Sequence, residues 1–201
     1  MAKEQLTRLG TRTGLLGWFD RIRFNEILRQ GIGLLLVAVC AYFASPDRGT
    51  VAIGLGLAVA GQLFRIYAAG FIHKNKQLAT TGPYALVRHP LYLGNFMILI
   101  GFTLASANLY VTAGVIVFFL IWYPAAITYE DNKLERIFED EWREWSKNIR
   151  AIIPGRFRWA DLKADGWDTY QSLIRNGELP ITLYLLSCGI WLWVVSHAIK
   201  G

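Results

Sequence analysis

The sequence predicts an all-α, polytopic membrane protein with about five transmembrane helices. Three observations predict it. Of 201 residues, 54% are hydrophobic and the mean hydropathy is +0.31, more apolar than an ordinary soluble domain of this size. The apolar residues gather into runs long enough to cross a bilayer. Lys and Arg, finally, fall almost entirely on one side of the topology those runs define.

Before the first span, Leu15, Trp18, Phe19 and Ile22 recur at helical spacing with Asp20, Arg21 and Arg23 between them. Over residues 1–27 this predicts an interfacial amphipathic helix rather than a cleaved signal. The first span covers about 28–44 and ends at Ser45-Pro46-Asp47-Arg48-Gly49; the second covers about 50–72. The third and fourth, about 91–107 and 109–128, are separated only by Ala105-Ser106-Ala107-Asn108, the tip of an antiparallel helical hairpin. A last span runs from Leu179 to Ile199. With the N-terminus cytoplasmic, eighteen Lys and Arg lie inside and only Arg48 and Lys200 outside, leaving Arg65 within the second span. The net charge of +6 follows from this topology and from anionic head groups, with no nucleic-acid partner required. Cys40 and Cys188 lie in apolar spans without metal-ligand spacing and are expected to be reduced core thiols.

Chemistry concentrates in two stretches and one isolated residue. Residues 78–94 carry Gly82-Pro83, a turn signal, and Arg88-His89-Pro90, in which Pro90 removes a backbone donor and pushes His89 out of the helical region. Arg88 and His89 are thereby held in a structured loop at the mouth of the third span. After the fourth span, Leu134, Phe138, Trp142, Trp145, Ile149 and Ile152 fall at steps of four, four, three, four and three, one helical face that Glu130 and Asp131 begin. Glu135, Arg136, Glu139, Asp140, Arg143, Glu144 and Lys147 take the solvated side, and Pro154-Gly155 stops the helix. Arg65 lies about two turns from the cytoplasmic end of its span. It either snorkels to the head groups or faces a cavity shared with Arg88 and Glu130.

Gly82-Pro83-Tyr84, then Arg88-His89-Pro90, Tyr92 and Gly94, then after a hairpin Glu130-Asp131 followed by Leu134 and Phe138, resembles the isoprenylcysteine carboxyl methyltransferase and phospholipid methyltransferase superfamily of membrane enzymes. The resemblance covers about residues 61–155 and includes an arginine like Arg65 on the preceding helix. It divides the chain into the N-terminal helix, a methyltransferase core over 28–155, and a connection with an additional helix over 156–201. The family pattern usually has Glu-Glu where this chain has Glu130-Asp131, and Trp142 and Trp145 replace family tyrosines.

The resemblance implies a cytoplasmic cofactor-binding region for S-adenosyl-L-methionine, with S-adenosyl-L-homocysteine as product and no metal. Its cofactor-binding residues are Gly82, Pro83, Tyr84, Arg88, His89, Pro90, Tyr92, Leu93, Gly94, Glu130 and Asp131. Glu130 is expected to take the donor's ammonium or ribose, Arg88 and His89 its carboxylate, and Tyr84 and Tyr92 to flank its adenine. The expected catalytic residues are Arg65, Arg88 and Glu130. A carboxylate acceptor with an apolar tail, prenylcysteine-like, needs a cation to position it, which Arg65 would supply; an amine such as phosphatidylethanolamine needs a base, which would recruit Glu130 or Asp131. A reading of another class is a non-catalytic membrane scaffold or transporter subunit. Against transport, the spans carry only isolated polar residues such as Gln62 and Asn95.

Overall fold

The computed structural model describes residues 26–73, 76–155, 162 and 165–198. These form α1 (Glu26–Tyr42), α2 (Arg48–Ala69), α3 (Pro90–Ser106), α4 (Leu109–Ser146) and α5 (Glu178–Ala198). A 3-10 turn (Gly82–Ala85) precedes α3, and a π-helical turn (Gln171–Arg175) precedes α5. The protein is all-helical, as expected. Among the described residues α2, α4 and α5 are long and apolar enough to cross a membrane, whereas α3 and the apolar part of α1 (Gln30–Tyr42) are shorter apolar helices. The expected interfacial helix before α1 lies outside the described residues.

Helix ends follow local chemistry. Asp47 caps α2 by accepting from the amides of Gly49 and Thr50 at 2.9 and 3.2 Å. Ala107 turns the chain with φ 49°, and Asn108 then caps α4 by accepting from Tyr110 and Val111. The hairpin tip sits where the sequence places it.

α2 and α3 form the closest helix pair. Gly54 and Gly61 on α2 meet Gly101 and Gly94 on α3, and a Cβ at Gly54 would stand 2.4 Å from the Gly101 carbonyl oxygen. Small residues in this register let two apolar helices approach backbone to backbone, where dispersion replaces the weak hydrophobic drive available in lipid. α1 and α5 complete the core through Val37, Cys40, Leu185 and Leu192, packed with Ile98, Leu99 and Phe102 of α3.

Residues beyond the expected methyltransferase core close the C-terminal end of α2. A helix leaves its last carbonyls without intrahelical partners, and here the segment before α5 supplies them. Ser172 Oγ donates to the Ile66 carbonyl at 2.6 Å, Asn176 Nδ2 to those of Ala69 and Ile72 at 2.7 and 3.1 Å, and Gln171 Nε2 to Ile72 at 2.7 Å. Trp167 packs on Gly70, where a Cβ would come within 2.2 Å of its indole nitrogen. Asn176→Ala should therefore lower stability by about 1 kcal/mol, read as a melting-temperature drop of roughly 2–4 °C in detergent. An unchanged melting curve would show that Gln171 and Ser172 suffice.

α4 departs from expectation. The apolar stripe through Ile152 was expected on one helix stopped by Pro154-Gly155. Instead the fourth span and the first part of the stripe share α4, which is broken at Glu139 (φ 43°, ψ −113°) and ends at Ser146. Residues 149–151 leave the helix because their carbonyls are used elsewhere. The Arg88 amide donates to the Arg150 carbonyl at 2.8 Å, the His89 amide to Ala151 at 2.9 Å, and Arg88 Nη1 to Ile149 at 2.8 Å.

Candidate active site

Local backbone chemistry sets the Arg88-His89 pair. Gly82 opens the 3-10 turn at φ +60°, with a Cβ there falling 2.8 Å from the Phe71 ring, so both conformation and space require glycine. Pro90 opens α3, and His89 before it adopts φ −124°, ψ 67°. The two side chains then converge on Asp131. Arg88 Nη2 donates to Asp131 Oδ2 at 2.8 Å and Arg88 Nε to Oδ1 at 3.3 Å, while His89 Nε2 lies 2.7 Å from Oδ1. Asp131 stands beyond the apolar stretch of α4. Burial opposes its ionisation, but the hydrogen bonds and charges of His89 and Arg88 outweigh that and hold its carboxyl below the ordinary value. The Arg88 guanidinium also lies 5.9 Å from the Trp142 ring centre.

Beside this cluster opens a cavity of about 240 Å³. Its charged end is lined by Tyr84, Arg88, His89, Glu130 and Lys133, with His73 and Gln77 nearby, and Lys133 donates to Glu130 at 3.3 Å. Its other end runs between α1, α3, α4 and α5 along Leu34, Val37, Leu99, Phe118 and Leu185. Burial pushes the Tyr84 phenol far up, so it stays a neutral hydroxyl. Trp145 also lines the cavity, and its buried Nε1 has no hydrogen-bond partner among the described residues.

Arg65 faces the same cavity and does not snorkel: it is 4% exposed. Its Nη2 donates to Glu178 Oε1 at 2.7 Å, its Nε to Oε2 at 3.3 Å, and its Nη1 to Asn95. Gln62 Nε2 adds donations to Glu178 Oε2 at 3.0 Å and to Thr182 at 2.8 Å. A carboxylate at the first turn of α5 is further favoured by the helix dipole.

Of the expected site residues, Arg65, Tyr84, Arg88, His89, Pro90, Tyr92 and Glu130 line the cavity, as do Leu134 and Phe138. Gly82, Pro83, Leu93, Gly94 and Asp131 are not among its lining residues. Gly82 packs under Phe71; Gly94 faces α2, where a Cβ would meet Arg65 Cγ at 2.4 Å; Asp131 orients Arg88 and His89 from behind. Sequence reasoning missed Glu178, Lys133 and Gln77. For Glu178 a signal existed, since an arginine at membrane depth demands a counter-charge and Glu178 borders the last apolar span.

The cavity residues suit the donor that the resemblance implies. A carboxylate, Glu130, and cations, Arg88 and Lys133, open on one space beside the aromatic rings of Tyr84, Tyr92 and Trp145. That set matches a ligand carrying an ammonium, a carboxylate, ribose hydroxyls and a purine.

Comparisons with known proteins point the same way. The sequence profile of the phospholipid methyltransferase family matches residues 49–141. The chain is 38% identical over 103 residues, 51% of its length and 46% of the relative's, to the cobalt-zinc-cadmium resistance protein CzcN of Cupriavidus metallidurans. It is 34% identical over 103 residues, 51% of its length and 47% of the relative's, to the nickel-cobalt-cadmium resistance protein NccN of Alcaligenes xylosoxydans xylosoxydans. It is also 32% identical over 97 residues, 47% of its length and 40% of the relative's, to the protein-S-isoprenylcysteine O-methyltransferase of Schizosaccharomyces pombe. The chain thus spans less than half the length of each of these relatives. No solved structure matches. Residues 49–141, which carry the Arg88-His89 loop and the Glu130-Asp131 pair, thus match the phospholipid methyltransferase family, and the chain is similar over about half its length to an isoprenylcysteine methyltransferase.

Proposed function

We propose that the protein transfers a methyl group from S-adenosyl-L-methionine to an acceptor with an apolar tail. One observation carries this reading: a single cavity joins the charged cluster around Arg88 and Glu130 to an apolar space bounded by apolar helices, of which α4 and α5 are long enough to cross a membrane. The polar donor suits the first region and enters from the cytoplasmic side; the acceptor's tail suits the second and enters from lipid.

The donor supplies a methyl carbon on a sulfonium: the acceptor's lone pair forms the new bond as the carbon–sulfur bond breaks and its electron pair stays on sulfur. The chain's task is alignment and exclusion of water. Asp131 fixes Arg88 and His89 at the donor's end. Glu130 is placed to hold an ammonium, or to take the proton that an amine acceptor sheds.

The expected acceptor was a prenylcysteine-like carboxylate held by Arg65. Arg65 is already matched by Glu178 in a two-point contact, so we place an amine acceptor of the phosphatidylethanolamine type first. Carboxyl O-methylation stands second, favoured by Arg65 lining the cavity. The test is calorimetric binding of S-adenosyl-L-methionine to the detergent-purified protein, followed by challenge with phosphatidylethanolamine, prenylcysteine analogues and a fatty acid. Glu130→Gln should weaken donor binding or turnover by at least about 100-fold, the low end of about 10²–10⁴ for a lost acid–base group. Absence of donor binding by the wild-type protein would overturn the reading.

A further inference from the structure

Glu178 takes no part in the transfer step itself, yet it is 1% exposed and is held by three hydrogen bonds from two side chains, Arg65 and Gln62. It comes from α5, outside the family-matched residues, and reaches Arg65 from behind the cavity wall, since Arg65 lines the cavity and Glu178 is not among its lining residues. Both oxygens are engaged: Oε1 by Arg65 Nη2, Oε2 by Arg65 Nε and Gln62 Nε2. The remaining Arg65 nitrogen, Nη1, is taken by Asn95.

We infer that Glu178 is the specificity-determining residue of the cavity: it occupies the place on Arg65 that an acceptor's carboxylate would take, and so restricts the cavity to apolar-tailed ligands whose heads carry no net negative charge. This rests on the acceptor site proposed above. A carboxylate arriving in the wild-type cavity meets a neutral pair and gains little for losing its hydration. Were Glu178 neutral, Arg65 would stand as an uncompensated cation in an apolar surrounding, and a ligand anion would be the cheapest way to match it. The other two cations on the cavity are matched likewise, Arg88 by Asp131 and Lys133 by Glu130. Discrimination thus comes from an internal carboxylate that competes with the unwanted ligand head, a built-in element against the wrong partner.

The test compares a fatty acid with its primary amide of equal chain length, as ligands for the wild type and for Glu178→Gln in detergent micelles. Glutamine keeps the shape and an acceptor oxygen for Arg65. The wild type should bind acid and amide within about threefold of each other, and Glu178→Gln should bind the acid at least roughly tenfold tighter than the amide. A loosened fold would weaken both ligands together and leave the ratio unmoved, so the ratio reports charge and not general damage. Should Glu178→Gln fail to fold, the wild-type ratio decides alone: near unity supports the inference, and tenfold preference for the acid overturns it. A folded Glu178→Gln with the wild-type ratio overturns it too. No methyl donor enters these measurements, so failure of the methyltransferase reading, seen as absent donor binding, is distinguishable from failure of this one.

Discussion

Asp131→Ala is expected to cost donor binding or turnover about 100-fold, although Asp131 does not line the cavity. Its carboxylate receives Arg88 through Nη2 and Nε and His89 through Nε2. Without it, His89, 6% exposed, loses this partner, and the Arg88 guanidinium keeps, among the described residues, its hydrogen bonds to the carbonyls of Ser146 and Ile149 and its contact with the Trp142 ring. Each group left unsatisfied costs about 1–3 kcal/mol, and a reacting constellation displaced by about 1 Å loses on the order of 10² in rate. Asp131→Asn keeps one acceptor oxygen and loses the charge, so it should fall between. Isothermal titration with S-adenosyl-L-homocysteine reads the effect, and wild-type affinity in Asp131→Ala would show that the loop is held by its backbone bonds to Arg150 and Ala151 alone.

Gly101→Val should unfold the protein or cost at least about 3 kcal/mol, the upper range for overpacking. A Cβ at residue 101 would stand 2.5 Å from the Gly54 carbonyl oxygen and 2.6 Å from the Ala58 amide nitrogen. Both are backbone atoms of α2, so relief requires moving a whole helix and not a side chain. Moving it also separates Arg65 from Asn95 and reshapes the cavity wall. Gly114 of α4 is the control, because a Cβ there meets nothing within 4 Å. Gly114→Ala should be neutral or slightly stabilising. Melting curves and the monodisperse fraction after gel filtration compare the two, and equal behaviour would refute close α2–α3 packing.

What the chain disclosed in advance divides by range. Apolar runs and short punctuated turns placed α1, α2, α3, α5 and the α3–α4 hairpin to within a few residues, because span length, caps and prolines are local properties. The meeting of Arg88 and His89 with the Glu130-Asp131 pair came from two short motifs and an orientation argument. Within that meeting the roles were not legible: Glu130 and Asp131 are neighbours in sequence, yet a 100° step around the helix sends one to the cavity wall and the other behind Arg88. Gly94 was grouped with the cofactor residues because it adjoins the Arg88-His89-Pro90 motif. Its spacing of seven to Gly101, matched by Gly54 and Gly61, carried the alternative signal of a helix-packing face. Least visible were Glu178 and the contacts from Gln171, Ser172 and Asn176, 99 or more residues from their partners in α2 and just beyond its end, with no periodicity to link them.

The pairing of Arg65 with Glu178 bears on how such a protein can change over generations. Arg65 lies inside the family-matched stretch and Glu178 outside it. A recombination that imported a foreign final helix together with the segment before it, without an acidic first turn, would strand a guanidinium at membrane depth and uncap α2 in the same stroke. Loss of the arginine alone would strand the carboxylate instead. Each charge thus depends on the other, and a piece of this chain that can be exchanged without leaving either one unmatched must extend past residue 141 to include Glu178.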